Sequence, residues 1–381
     1  MKTTTSNPHL LPEIFDYIID FLRDDMKTLK QCCLVSKSWV PRSREHIFAD
    51  LTLDEEDDLE SWRETFSDPA NSPSYHTRNL TIRCDPGHME ESGWVQSFPR
   101  LETLCMMSED GWVNFPMFQK LAPSITALAL CSLYLPHLQI LDLICSLPLL
   151  EDLILIGEVN EAKGSSGPPA VVSTSPPLNN HLDILLSEGF ARTLSGLLSL
   201  PGGLRFRAVD LAWCREPDDL LQVRELVGAC SGTLESLRIG SRVSDDGTPG
   251  PIDLSKATNI RDVEFQCITG LTGCMWIIMT LGTIKSEHRD LREITICFME
   301  DDDYDYDTLD LTELNEAAKP GMRWSDLDSL LILLLELRSI RPRILCPQSD
   351  VTQGMVSLAG LARSMLPETA RRGIVELYGD F

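Results

Sequence analysis

A six-residue pattern of apolar positions recurs along much of the chain. Its first, fourth and sixth positions are apolar, except for a threonine in the first copy, and the fourth position falls at residues 80, 104, 128, 153, 209, 237, 263 and 294. Short alternating runs of this kind predict strands, and helix-like segments at 138–146, 218–228 and 274–286 follow three of them. The pattern therefore predicts an α/β fold in which strands and helices alternate.

The spacing between successive copies of this pattern is nearly constant. Neighbouring fourth positions are roughly 24–31 residues apart, except between residues 153 and 209, where the interval equals two repeats. That long interval contains a Gly-, Pro- and Ser-rich stretch, residues 161–180, which we interpret as a flexible insertion. The array resembles irregular leucine-rich repeats, which have about 20–29 residues each and stack into a strand–helix solenoid. A doubly wound α/β domain, which also alternates strands and helices, is the alternative.

The first fifty residues predict three short helices. Residues 10–22 form the first, because their apolar residues fall on two adjacent helical faces and Pro12 suits a first turn. Residues 27–35 form the second, and Ser36 is expected to cap a third helix that contains Trp39. A first helix this short and this apolar must bury both faces, so one face needs a further surface. That surface is either the rest of the chain or a partner.

The apolar residues of this segment, taken in order, are similar to the F-box motif of fungal F-box proteins. The similarity consists of Leu-Pro, Ile, Ile and Leu in the first helix, followed by Leu and by Leu-Val-Ser-Lys-x-Trp. F-box proteins use this small helical module to bind the Skp adaptor of a cullin–RING ubiquitin ligase. The resemblance implies that the adaptor-binding residues are Leu11, Pro12, Ile14, Ile18, Leu22, Leu29, Leu34, Val35 and Trp39.

The motif and the repeats together predict the organisation of the chain. Residues 1–53 form the F-box module, 54–76 an acidic connection, 77–300 the repeat array, and 301–381 an acidic loop with a C-terminal cap that seals the last repeat. We expect a substrate-recognition subunit of a Skp–cullin–F-box ubiquitin ligase, whose array binds the target protein. The alternatives are a leucine-rich-repeat scaffold without ligase recruitment, or a three-helix cap that only seals the following domain.

The residues between the apolar positions of each predicted strand are expected to share one face. In the later copies this face is mainly acidic, and we take its charged residues as candidates for target binding. These residues are Asp152, Asp210, Arg238, Asp262, Glu264 and Glu293. Since opposite charges favour association, we expect them to bind a basic or mixed-charge segment. The alternative is an ordinary acidic surface that keeps the protein soluble.

The net charge limits the kinds of partner that the chain can bind, and its cysteines indicate the cellular compartment. The chain has 33 Lys and Arg against 58 Asp and Glu, a net charge of −25, which argues against binding to nucleic-acid phosphates or an anionic membrane. Residues 1–8 do not resemble a signal peptide, and no apolar segment suits a membrane span. The 12 cysteines include no C-x-x-C pair, so we expect reduced thiols in the cytoplasm or nucleus.

Nothing in the sequence predicts catalysis. The motifs G-x-S-x-G, G-x-x-x-x-G-K-[ST], H-E-x-x-H and G-x-G-x-x-G are absent, and none of the seven histidines has a second histidine four residues away. We therefore expect no enzymatic activity, no cofactor and no bound metal. An enzyme on an α/β fold would instead need a deep cleft in which polar groups converge.

Overall fold

The computed structural model of the chain is an α/β structure with parallel strands. It divides into two compact units, one formed by Met1–Leu133 and Ser146–Leu150, the other by Tyr134–Cys145 and Glu151–Phe381. The residues that the structure describes are 12–54, 56–66, 72–83, 98–107, 124–134, 137–158, 175–214, 217–241, 250–267, 275–298, 324–338, 340–347, 363 and 366–378.

Three short helices come first among the described residues of the first unit. They are α1 (Pro12–Phe21), α2 (Met26–Val35) and α3 (Val40–Ile47). A side-chain cap starts α2, because the Asp25 carboxylate accepts a hydrogen bond from the backbone N–H of Thr28 at 3.0 Å. Ile19, Leu29 and Cys32 are buried and form the apolar core of this segment.

Parallel strands follow the helices of the first unit. The elements are β1 (Asp50–Leu53), α4 (Glu56–Thr65), a 3-10 turn (Pro73–His76), β2 (Asn79–Ile82), β3 (Thr103–Met107) and β4 (Ala127–Tyr134). Each strand pairs in parallel with the next one in the chain. The register aligns Leu51, Leu80, Leu104 and Leu128, and the last three are buried. A recurring leucine therefore builds one layer of the core.

The second unit repeats the alternation of strands and helices. Its elements are α5 (His137–Ser146, with Ser146 assigned to the first unit), β5 (Asp152–Glu158), β6 (His181–Glu188), α6 (Phe190–Leu198), β7 (Ala208–Cys214), α7 (Pro217–Cys230), β8 (Ser236–Ser241), β9 (Asp262–Cys267), α8 (Met275–Leu281), β10 (Glu293–Phe298), α9 (Trp324–Arg338), β11 (Arg341–Pro347), α10 (Pro367–Arg371) and β12 (Val375–Tyr378). From β5 to β12, each strand pairs in parallel with the next.

Apolar residues again occupy aligned positions in the strands of the second unit. Leu153, Leu182, Val209, Leu237 and Val263 stand side by side on β5 to β9, and all five are buried. Because side chains alternate along a strand, the residues on either side of each of these positions project from the opposite face. That opposite face carries the polar residues described below.

The α/β prediction and the positions of its strands are confirmed. All eight predicted fourth positions, from residue 80 to residue 294, lie inside strands. The long interval between Leu153 and Val209 contains a further strand, β6, and Leu182 divides it into two nearly equal parts. Of the predicted insertion 161–180, residues 161–174 lie outside the described residues, whereas 175–180 are described and Leu178 among them is buried.

Two helix predictions need correction. Ser36 ends α2 instead of capping the third helix, and Trp39 stands before α3 as its N-cap residue without a side-chain hydrogen bond. Pro41 occupies the first turn of α3, where its missing N–H costs nothing, which explains why the helix starts there. The helix predicted at 274–286 is shorter, since α8 ends at Leu281.

The predicted domain boundaries remain predictions. The boundary after residue 53 falls inside the first unit, where β1 pairs with β2. Most of the connection 54–76 is described and contains α4 and the 3-10 turn. In the predicted segment 301–381, residues 301–323, which include the acidic loop, lie outside the described residues, whereas α9 to β12 are described.

Candidate functional site

Helix α1 has one buried residue and a broad exposed apolar face. Ile19 is only 1% exposed and faces the core of the helical segment. Ile14, Tyr17, Ile18 and Phe21 are exposed, and Phe21 retains 83% of its accessible surface. Their spacing of three, four and seven residues from Ile14 places them on one side of the helix. An α-helix therefore presents two aromatic and two aliphatic side chains to solvent.

The end of α2 adds two further exposed apolar side chains. Leu34 is 87% exposed and Val35 is also exposed, whereas Leu29 and Cys32, earlier in the same helix, are buried. Large apolar side chains on the surface are common singly but unusual in such number on two short helices. We call Ile14, Tyr17, Ile18, Phe21, Leu34 and Val35 the N-terminal apolar residues.

An ionic cluster ties α1 to α3 and so fixes the orientation of the exposed face of α1. The Arg42 guanidinium donates to both carboxylate oxygens of Asp20, at 2.5 and 2.7 Å, and also to Glu45 at 2.6 Å. The ring Nε2 of His46 lies 2.8 Å from the same Asp20 carboxylate. The hydrogen bond from Arg42 is the main cause that lowers the pKa of Asp20 to about 2, so this carboxylate is ionised at neutral pH.

The nine predicted adaptor-binding residues have different environments. Leu11 lies outside the described residues, and Pro12 begins α1. Leu22 and Trp39 are partly buried, and the Trp39 ring packs against Phe15 with centroids 5.4 Å apart. Leu29 is completely buried, so it holds the helices together and offers no surface to a partner. The four that are exposed are Ile14, Ile18, Leu34 and Val35.

Sequence reasoning missed the two aromatic side chains of this surface. Tyr17 and Phe21 are the most exposed large apolar side chains of α1, and neither was among the predicted residues. Helical spacing could have found them, because they follow Ile14 by three and seven residues. Both residues lie outside the positions that the F-box pattern names, so the resemblance did not indicate them.

A second candidate site lies on the polar face of the second unit. The strand register aligns one charged or polar residue from each of six neighbouring strands, β6 to β11. In strand order these residues are Asp183, Asp210, Arg238, Glu264, Thr295 and Arg343. Neighbouring strands lie about 4.8 Å apart, so the charges of adjacent residues interact directly.

Arg238 stands at the centre of this row between two carboxylates. Its Nη1 donates to Asp210 at 2.7 Å, and its Nε lies 3.1 Å from Glu264. The Gln266 side chain donates to the same Glu264 oxygen at 2.9 Å. Burial lowers the pKa of Arg238, but the attraction of both carboxylates outweighs that effect and raises it overall. The arginine is therefore a fixed cation that links three strands.

The two aspartates at the start of the row resist ionisation. Burial is the largest cause that raises the pKa of Asp183, and the nearby Asp210 carboxylate raises it further. Burial also raises the pKa of Asp210, although Arg238 partly offsets the effect. Ionising both groups at neutral pH therefore costs free energy, and an additional cation beside them would reduce that cost.

A shallow cavity of about 360 Å³ brings five of the six predicted target-binding residues together. Asp210, Arg238, Asp262, Glu264 and Glu293 all line it. The sixth, Asp152 on β5, is not among its lining residues; its carboxylate accepts hydrogen bonds from the Asn180 side chain at 2.6 Å and the His181 backbone at 3.1 Å. We call the five residues that line it, with Asp183 beside them, the charged cavity.

The charged cavity keeps an excess of negative charge. Glu293 accepts a hydrogen bond from Arg343 at 3.1 Å and from the Thr295 hydroxyl at 3.2 Å. The charged cavity holds five carboxylates and the guanidinium group of Arg238; with the neighbouring Arg343, which pairs with Glu293, the net charge is −3 when all are ionised. Sequence reasoning missed Asp183 because it lies on β6, the strand that was not predicted.

Comparison with known proteins assigns neither a family nor a function to the chain. The sequence matches no protein-family model, and a search of curated proteins finds no match. Among the described residues, no helix is long and apolar enough to cross a membrane. Within the same residues, no group of three or more His, Cys, Asp or Glu side chains is placed to hold a metal ion. The two sites above are therefore interpreted from their own chemistry.

Proposed function

We propose that this protein is the substrate-recognition subunit of a Skp–cullin–F-box ubiquitin ligase. In this proposal α1 to α3 form the F-box module that docks on the Skp adaptor, and the following strands form a leucine-rich-repeat solenoid that binds the target protein. The observation that carries the proposal is the exposure of the N-terminal apolar residues. Four of the six occupy positions that the F-box resemblance assigns to adaptor contact: Ile14, Ile18, Leu34 and Val35.

The physical argument rests on the cost of leaving these side chains in water. Burying a large aliphatic or aromatic side chain stabilises an assembly by about 1.5–3 kcal/mol. The fully buried core of an interface is more apolar than the rest of the surface and is enriched in aromatic residues, and a few residues supply most of the binding energy. Phe21 and Leu34, which are 83% and 87% exposed, would be two such residues. The Asp20–Arg42 pair supports docking because it holds the face of α1 in place before binding.

The regular strand spacing supports the solenoid. In the first unit, Leu80, Leu104 and Leu128 stand side by side at equal intervals along the sequence. In the second unit, the aligned core residues from β5 to β9 follow one another at intervals of roughly 26–29 residues. Both spacings fall within the range of leucine-rich repeats, about 20–29 residues. Sequential, in-register parallel pairing is how one strand per repeat forms the sheet of such an array.

The charged cavity is the proposed target-binding surface. Its net charge, −3 with Arg343 included, and the raised pKa values of Asp183 and Asp210 favour a lysine or arginine side chain of the target. Asp152 would contact the target only at the edge of this surface, since its carboxylate is already bound to β6. The protein itself performs no chemistry in this proposal; it accelerates ubiquitin transfer by holding the target near the transferring enzyme.

A pull-down with a purified Skp adaptor tests the proposal. The test variant is Ile18→Asp/Leu34→Asp, which places two charges among the N-terminal apolar residues without changing a buried position. The control is Leu221→Asp on α7, a position that is also exposed but lies in the second unit. We expect wild type and control to retain the adaptor and the double variant to lose it.

Two results would contradict the proposal. Folded wild-type protein that does not bind the adaptor would leave the alternative, a repeat scaffold without ligase recruitment. Equal binding by wild type and the double variant would show that the adaptor uses another surface. Circular dichroism of each protein, measured in parallel, distinguishes loss of binding from loss of fold.

A further inference from the structure

A second cavity opens at the edge of the second unit where strands β5 to β9 begin. Its volume is about 680 Å³, and its lining comes from the segments that lead into these five strands. None of its described lining residues belongs to the charged cavity, so the two sites are separate. We call it the strand-entry cavity, and its lining includes Asn180, Arg205, Arg207, Gly232, Glu235 and Asn259.

Backbone hydrogen bonds place the residues that precede these strands side by side. The N–H of Arg207 donates to the carbonyl of Asn180 at 2.8 Å, and the N–H of Glu235 donates to the carbonyl of Arg207 at 2.7 Å. The N–H of Arg261 then donates to the carbonyl of Glu235, also at 2.7 Å. The row therefore keeps the strand spacing of about 4.8 Å, so three steps, from the entry of β6 to the entry of β9, span about 14 Å.

Two arginines already hold the glutamate of this row, while a third arginine has no such partner. Nε and Nη2 of Arg207 donate to one carboxylate oxygen of Glu235, at 2.8 and 2.5 Å. Nη1 of Arg261 lies 2.9 Å from the other oxygen. Arg205 lines the cavity and is exposed, and it forms no ion pair with any residue in the described part of the chain. Its guanidinium donors are therefore open to an external anion.

Two asparagines stand at either end of this span and hold their amide groups in place. The Asn180 side chain donates to Asp152 at 2.6 Å, and the Asn259 side chain donates to the carbonyl of Gly232 at 2.7 Å. Both bonds use the amide nitrogen, and among the described residues no donor reaches either amide oxygen. An amide oxygen accepts hydrogen bonds from N–H groups, such as those of a peptide backbone.

We propose that the strand-entry cavity binds an extended peptide segment that carries an aspartate or glutamate. Arg205 holds the carboxylate, and the oxygens of Asn180 and Asn259 accept backbone N–H groups of the segment. An extended chain advances about 3.3 Å per residue, so about five residues cover the span of about 14 Å between the two asparagines. Arg205 precedes β7, inside this span, so the acidic residue lies within the segment and not at its end.

Charge favours an acidic segment here over the rest of the acidic chain. With Arg261, the strand-entry cavity holds three guanidinium groups against the carboxylates of Glu151 and Glu235, a net charge of +1 when all are ionised. The charged cavity, by contrast, repels an acidic segment. This proposal does not depend on what the N-terminal helices bind.

The test titrates the full chain, at low salt, into a Gly- and Ser-based peptide with two central glutamates and follows fluorescence anisotropy. Both peptide ends are blocked and the label is uncharged, so the glutamates carry the only charges. We expect this peptide to bind wild type at least about 10-fold more tightly than its twin with two glutamines. Arg205→Ala should weaken binding by about 5- to 10-fold. The control is Arg289→Ala, an exposed arginine that is not among the lining residues, which should stay within about 2-fold of wild type.

A second variant, Gly232→Leu, tests the cavity without changing any charge. A Cβ at this position meets no atom within 4 Å, and its backbone does not have the positive φ that only glycine tolerates well. The leucine side chain should therefore fit without strain and occupy space that the peptide needs. We expect binding to weaken by at least about 5-fold, with an unchanged circular dichroism spectrum.

Four outcomes would overturn the proposal. Equal binding of the glutamate and glutamine peptides by wild type would show that no carboxylate is recognised. Equal losses in Arg205→Ala and Arg289→Ala would show only a general attraction by positive charge, and wild-type binding by Gly232→Leu would place the peptide elsewhere. Displacement of the peptide by glutarate at an equal concentration would show that the cavity takes free carboxylates and not a peptide segment. No adaptor is present in this assay, so its failure is distinguishable from failure of the proposed ligase function.

Discussion

Asp328 joins two helices near the C-terminus and gives a quantitative test of the packing there. Its side chain, on α9, is 7% exposed. The carboxylate accepts hydrogen bonds from the backbone N–H groups of Glu368 and Thr369, at 3.0 and 2.8 Å, and a third from the Thr369 hydroxyl. These N–H groups belong to the first turn of α10, so an aspartate far earlier in the chain caps that helix.

We expect Asp328→Ala to destabilise the α9–α10 region by about 2–4 kcal/mol. Losing a helix cap costs about 0.5–2 kcal/mol, and each buried donor left without an acceptor costs about 1–3 kcal/mol. Thr369 is completely buried, and its N–H and hydroxyl both lose their shared acceptor, Asp328 Oδ1. The backbone N–H of the partly exposed Glu368 can bond to water, which keeps the total below the sum of the separate costs. Asp328→Asn keeps one acceptor oxygen and should cost about 1 kcal/mol.

Hydrogen exchange detects this change locally, without assuming that the whole chain unfolds in one step. Amides in the segment 366–378 should exchange about 30- to 700-fold faster in Asp328→Ala, as about 2–4 kcal/mol corresponds to that range at about 1.4 kcal/mol per tenfold. Asp326→Ala is the matched control, because Asp326 is an exposed aspartate in the first turn of the same helix. Exchange that changes equally in both variants would refute the capping role of Asp328.

Three further predictions concern the two candidate sites. Phe21→Ala should weaken adaptor binding by about 10- to 150-fold in calorimetry, the equivalent of about 1.5–3 kcal/mol, while Leu221→Ala should leave it unchanged. Asp20 has a depressed pKa, so the stability that its ionised form contributes is present above pH 4 and is lost as pH falls towards about 2. Asp20→Asn should therefore lower the free energy of unfolding at pH 7 by about 1 kcal/mol, allowing for solvent screening, and should leave it unchanged at pH 2. Asp183 has a raised pKa, so its ionised form lowers the stability of the fold, and this cost disappears as pH falls. Asp183→Asn should therefore raise Tm at pH 7 but not at pH 4. A lower Tm of the variant at pH 7 would contradict this prediction.

Local patterns in the sequence were enough to predict most strands. Leu80, Leu104 and Leu128 sit in alternating runs, and alternation decides which face of a strand is buried. Strand β6 was missed because Asn179 occupies the position where the pattern expects an apolar residue. The apolar residue is shifted by one position to Leu178, which is buried with an unusual positive φ of 36°. A one-residue shift in the chain therefore hid a strand from pattern matching.

Contacts between distant segments could not be predicted in the same way. Ser36 has a side chain that suits a helix N-cap, but α3 begins four residues later, at Val40. The residue before it, Trp39, packs against Phe15, which is far away in the sequence. Arg238 meets Asp210 and Glu264 because the register aligns the recurring apolar positions of three strands, and the hydrogen bonds and burial that follow are set by the folded sheet. The charged residues could therefore be proposed from sequence, but their pairing and their shifted pKa values could not.

Calorimetric titration of full-length wild-type protein with a purified Skp adaptor is the most direct test of the proposed function. The account predicts one-to-one binding with Kd below about 1 μM, which corresponds to about −8 kcal/mol and matches the burial of a few large apolar side chains. It also predicts that Ile18→Asp/Leu34→Asp abolishes this binding while the chain stays folded. Absence of binding by folded wild-type protein would contradict the account.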